Sequence, residues 1–161
     1  MTLGIIILAL VTLQRLGELW LSNRNTRRLL DRGAQEVGAA HYPLIVATHA
    51  LWLAALWWLA PGRAISLFWL VLFIVLQLGR AWVIATLGDR WTTRIIVLPD
   101  APLVRRGPYR FVNHPNYVVV TGEIAVLPLA FGLWQIALIF TVLNAAVLAI
   151  RIRQENRALG R

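Results

Sequence analysis

Apolar residues gather into five long runs, roughly residues 3–21, 42–60, 64–87, 117–131 and 133–150, and polar residues fall mostly between them. Each run is about the length that crosses the hydrocarbon core of a bilayer as an α-helix rising about 1.5 Å per residue. The first is expected to span rather than to be cleaved, because no basic residue precedes it and a positive cluster follows it. The second ends at Pro61-Gly62, a turn signal. The third is the longest and stays apolar as far as Gln77 and Arg80. Little more than Gly132 separates the last two, so residues 116–150 read as a tight helical hairpin. Pro128 removes a helical hydrogen bond and should kink the fourth run unless a neighbouring helix satisfies the freed carbonyl. The pattern predicts a single membrane-embedded domain over residues 1–161: an all-α integral membrane protein of five transmembrane helices.

Composition supports a bilayer as the solvent. Apolar residues make up 59% of the chain and charged residues 14%, against roughly a quarter charged in globular proteins. The net charge of +9 would suggest a nucleic-acid partner in a soluble chain. Here thirteen of the sixteen arginines follow the first, third and fifth runs, and only Arg63 lies on the other side. The positive-inside rule accounts for that distribution with the amino terminus outside, the carboxyl terminus in the cytoplasm and no nucleic acid. Cysteine is absent, which excludes disulfides and thiolate chemistry. Three histidines and seven scattered acids predict no metal site.

The one long connection, Gly88 to Pro115, falls on the predicted cytoplasmic side. Compact domains rarely carry so long a loop without a functional reason. Its second half reads Gly107-Pro108-Tyr109-Arg110-Phe111-Val112-Asn113-His114-Pro115-Asn116-Tyr117, and Glu123 follows one to two turns into the fourth run. Aromatic faces, backbone amides and mixed polar side chains at the mouth of an apolar bundle can dock a cytosolic cofactor with a charged body. The same residues also suit a solvated loop in which His114 caps a helix. Inside the runs, Arg15 and Glu18 are three apart and can pair on one helix face. Gln77 and Arg80 share a face, where Arg80 is either functional or snorkels to the interface. His49 reads as a neutral, hydrogen-bonded core residue. Of the eight tryptophans, Trp91 is the one placed to line a cofactor mouth.

Taken together, Gly107-Pro108-Tyr109-Arg110, then His114-Pro115-Asn116-Tyr117 with Glu123, then Arg151-Ile152-Arg153-Gln154-Glu155 resemble the signature of the isoprenylcysteine carboxyl methyltransferase family. The stretch Arg15 to Pro43, with Asn25, Gly33-Ala34, Glu36, Gly38 and His41-Tyr42-Pro43, is similar to a bacterial branch of it. That resemblance implies S-adenosylmethionine held on the cytosolic side without a Rossmann domain, with S-adenosylhomocysteine as product. It implies a small lipophilic acceptor entering from the surrounding membrane lipids, such as an alkylpyrone or alkylresorcinol, methylated on a carboxylate or acidic hydroxyl oxygen. The bacterial branch implies the inner (plasma) membrane.

By carry-over, Val104, Gly107, Tyr109, His114, Tyr117 and Glu123 would contact the cofactor, within a cofactor-binding loop spanning residues 88–115. Arg151 and Glu155 would face the reacting centre, and Arg80 is a further catalytic candidate. Two positions depart from the pattern: Asn113 stands where the family commonly has Arg, and Asn156 where it has the second of two glutamates. Two rivals remain at this point. One is an NADPH-dependent membrane reductase of the sterol-reductase type, which resembles the family in its hairpin and His-Pro-x-Tyr element. The other is a non-enzymatic membrane lipid-binding protein.

Overall fold

A computed structural model describes residues 2–99 and 101–158. Five α-helices form in chain order: α1 (Thr2–Asp31), α2 (Tyr42–Leu59), α3 (Leu67–Leu87), α4 (Pro115–Ala130) and α5 (Trp134–Ala158). Four of them, α1, α2 with its leading turn, α3 and α5, are long and apolar enough to cross a membrane. The fourth expected span is shorter: α4 has 16 residues. Both α1 and α5 run well past their apolar stretches, to Asp31 and Ala158, and so carry polar turns beyond the apolar zone.

The short helix is the buried one. It packs mainly between α3 and α5 and hides Val119, Val120, Ile124, Val126 and Leu127. All but Val119 meet Leu8 and Val11 of α1, Trp52 and Leu56 of α2, Phe73 of α3 and Phe140 of α5 in one core. At Gly122 an added Cβ would lie 2.9 Å from Leu76, so α3 and α4 approach closely there. Large apolar side chains, among them Leu10, Trp58, Phe68, Leu78, Leu138 and Val142, point outward and stay exposed. Water would penalise such a surface, whereas lipid is its natural solvent. The protein is an integral membrane protein.

Two expectations about the hairpin are met in atomic detail. Pro128 cannot donate to the carbonyl of Ile124, and the indole Nε1 of Trp52 donates to that oxygen at 3.2 Å instead. The turn itself closes on Gly132 at φ +69°. Leu133 N–H bonds Pro128 O at 2.9 Å and Gly132 N–H bonds Leu129 O at 3.0 Å, the paired bonds of a glycine-terminated helix end.

One element was not expected. Strands β1 (Gln35–Val37) and β2 (Ile95–Val97) pair antiparallel, Gln35 with Val97 and Val37 with Ile95. They tie the α1–α2 connection to the α3–α4 connection, and a bond of 2.8 Å between Arg94 and Glu36 reinforces the join. The long connection is therefore structured, with 3₁₀ turns at Gly88–Arg90 and Gly107–Arg110 on either side of β2.

Candidate functional site

The long connection is pinned to α1 from below. Asn25, fully buried, donates its amide to the carbonyls of Gly88 at 3.2 Å and Trp91 at 2.8 Å. Ser22 Oγ accepts the N–H of Thr93 at 2.8 Å. These bonds fold Trp91 inward and aim the Thr93 carbonyl across at the end of α5. A cleft opens between this connection, the first turn of α4 and the last turns of α5. Its wall includes Trp91, Val104, Tyr109, His114, Tyr117, Arg151 and Glu155.

Spacing explains why the last four meet. His114 and Tyr117 are three apart at the start of α4, and their rings stack with centroids 5.2 Å apart at 12°. Arg151 and Glu155 are four apart on α5 and so share a face. Tyr117 links the pairs: its hydroxyl donates to Glu155 and accepts from Nε of Arg151 at 2.7 Å. Nη1 of Arg151 donates to the Thr93 carbonyl at 2.7 Å. Arg151 is only 6% exposed, and no carboxylate pairs with it among the described residues. A buried cation without an anion is costly, and its Nη2 edge has no protein acceptor among the described residues. Tyr109 borders the same space; burial, then the nearby Glu155 carboxylate, push its phenol up to about 12, so it remains a neutral donor.

Six of the nine residues singled out from sequence thus share one cleft: Val104, Tyr109, His114, Tyr117, Arg151 and Glu155. His114 makes no side-chain capping bond to its helix. The other three lie elsewhere. Gly107, at φ +57°, packs where a Cβ would fall 2.5 Å from Thr86 Oγ1, so the turn sits close against α3. Arg80 and Glu123 lie off the cleft wall in a buried ion cluster with Arg15 and Glu18.

In that cluster Glu123 accepts from Arg15 at 2.7 Å and from Arg80 at 2.9 Å. Glu18 accepts from Arg15 at 2.9 Å and binds Arg80 through two bonds. Gln14 bridges Glu18 at 3.0 Å and Gln77 at 2.7 Å. The Arg15–Glu18 pair was legible from its spacing; its closure by Arg80 and Glu123 from two other helices was not. Two guanidiniums and two carboxylates balance, which is what the low dielectric of a bilayer demands.

Sequence reasoning passed over three contributors to the cleft. Asn156 bonds His114 at 3.1 Å, and its departure from a glutamate was the available signal. Thr93 acts through its backbone and gave none. Asn116 presents a buried Oδ1 without a partner among the described residues, as Trp91 presents a buried Nε1; both residues border the cleft.

Comparison with known proteins gives the same direction. The family described as isoprenylcysteine carboxyl methyltransferase (ICMT) matches residues 69–161, from α3 onward. A Bacillus subtilis (strain 168) protein, described as uncharacterized protein YpbQ, is 35% identical over 167 residues, covering 96% of this chain and 95% of that one. An uncharacterized protein of Haemophilus influenzae strain Rd is 27% identical over 154 residues, covering 91% of this chain and 88% of its own length. No solved structure matches.

Proposed function

Because the chain belongs to the isoprenylcysteine carboxyl methyltransferase family, we propose that it is a membrane enzyme using S-adenosylmethionine to methylate an oxygen of a small lipophilic acceptor. The observation that carries this reading is Arg151: a buried cation on the cleft wall, linked to Glu155 only through the Tyr117 hydroxyl and in direct contact with no carboxylate among the described residues. An anionic oxygen brought in by a ligand would complete it.

The residues present fit the cofactor. A donor (Trp91 Nε1) and an acceptor (Asn116 Oδ1), both unpartnered among the described residues, suit a heteroaromatic nucleoside. The stacked His114 and Tyr117 rings with the Glu155 carboxylate suit a cationic sulfur nearby. S-adenosylmethionine supplies a methyl group activated by a sulfonium. The chain's part is placement. Trp91, Tyr109 and Tyr117 exclude water, and the Arg151 fork, held at Nε and Nη1, offers Nη2 to the acceptor oxygen. A carboxylate or acidic enol is already ionised, so no strong base is needed. Neutralising opposite charges in a dry cleft, with the partners already aligned, can account for much of the acceleration.

Arg151→Lys tests this role. Lysine keeps the charge but loses the fork that simultaneously grips Tyr117, Thr93 and the acceptor. With labelled S-adenosylmethionine and a bacterial lipid extract as acceptor source, transfer should fall at least about tenfold, about 1.4 kcal/mol, with S-adenosylhomocysteine affinity nearly unchanged. Transfer by Arg151→Lys at the unaltered rate removes the orienting role. Alkali then separates the acceptors, since a methyl ester releases labelled methanol and an aryl ether does not.

The arginine distribution supports five crossings, with the cleft facing the cytoplasm of a bacterial inner membrane. The chain lacks cysteine, so single introduced thiols report cleanly. Cysteines at Ala101 and Ala158 should resist an impermeant reagent in intact cells, while one at Ala64 should label; labelling at Ala101 contradicts this orientation.

A further inference from the structure

His114 meets acceptors on both sides. Its Nε2 lies 3.1 Å from Oδ1 of Asn156, and its Nδ1 lies 3.7 Å from Oε2 of Glu155. An amide oxygen only accepts, so a ring paired with it carries its proton on Nε2 and keeps a lone pair on Nδ1. Oε2 of Glu155 is also an acceptor and already accepts a hydrogen bond from the Tyr117 hydroxyl. A proton on Nδ1 pointing at that carboxylate would draw the two together to about 2.7–2.9 Å. The wider gap is that of two acceptors sharing nothing. Among the described residues the neighbouring groups are engaged elsewhere: Arg151 is turned onto Tyr117 and Thr93, and the stacked Tyr117 ring fixes the imidazole from its face.

We infer that Asn156 is a positioning residue that holds His114 as its Nε2–H tautomer, so that Nδ1 and the Glu155 carboxylate form a two-acceptor seat for a primary ammonium. This deepens the proposed function and rests on it: the occupant is the ammonium at the amino-acid end of the cofactor, a cation with three donors. A carboxylate in place of Asn156 would favour the imidazolium, which has no lone pair to offer. The neutral amide at this position is therefore the feature that keeps the seat open to a cation.

The test reads the tautomer directly. Protein labelled with nitrogen-15 histidine carries three histidines, and the His114 ring is assigned by its loss in His114→Gln. In the unaltered protein Nε2 should carry the proton and Nδ1 should be bare, and S-adenosylhomocysteine should shift the Nδ1 resonance. Asn156→Ala should show both tautomers and bind S-adenosylhomocysteine about tenfold more weakly, while its affinity for the deaminated analogue stays unchanged. A proton on Nδ1 of the unaltered protein, or an equal loss of both ligands in Asn156→Ala, overturns the seat and leaves the cofactor reading standing. Failure of the unaltered protein to bind S-adenosylhomocysteine at all overturns both.

Discussion

Glu123→Ala should lower the stability of the purified protein by about 3–5 kcal/mol, the cost of breaking a buried ion pair by removing one partner. Glu123 is fully buried and receives both Arg15 and Arg80. Its loss leaves two guanidiniums sharing Glu18 alone inside an apolar bundle. The same cluster joins α1, α3 and α4 through their side chains, so the damage should spread across helices instead of staying local. Glu123→Gln separates charge from shape: it keeps the volume and one acceptor oxygen, and should still destabilise because the net charge of the cluster becomes positive. Thermal melts followed by circular dichroism in detergent give the stability. The informative companion is affinity for S-adenosylhomocysteine, which the folded fraction of Glu123→Gln should retain. Normal stability with lost affinity would return Glu123 to the cofactor site, where the motif alone had placed it.

The ion cluster around Glu123 lies beyond what a linear motif can show. The helices were legible because a bilayer imposes a simple rule, long apolar runs, and Pro128 with Gly132 announced the hairpin through their backbone chemistry. The α4 helix departed from the rule because its neighbours, more than lipid, cover it, so it need not be as long as the others. Strands β1 and β2 are three residues each, too short to show an alternation, and their pairing joins segments some sixty residues apart. In the site, a linear motif located the cleft because His114 and Tyr117 open one helix while Arg151 and Glu155 close another. The motif could not separate residues that line the cleft from those that hold it up. Arg80 and Glu123 look alike in sequence as intramembrane charges, and only their partners distinguish a brace from a binding group.

We propose that the cleft beside Arg151 binds a sulfonium-type methyl donor and not a reduced nicotinamide. Calorimetric titration of the purified protein with S-adenosylhomocysteine and NADPH in parallel, repeated on His114→Ala, tests it most directly. His114 stacks on Tyr117 and faces Glu155 and Asn156, so its removal disturbs the cleft from several sides at once. The unaltered protein should bind S-adenosylhomocysteine saturably and NADPH not at all, and His114→Ala should lose at least about tenfold, about 1.4 kcal/mol, in affinity. Binding of NADPH with none of S-adenosylhomocysteine would contradict it.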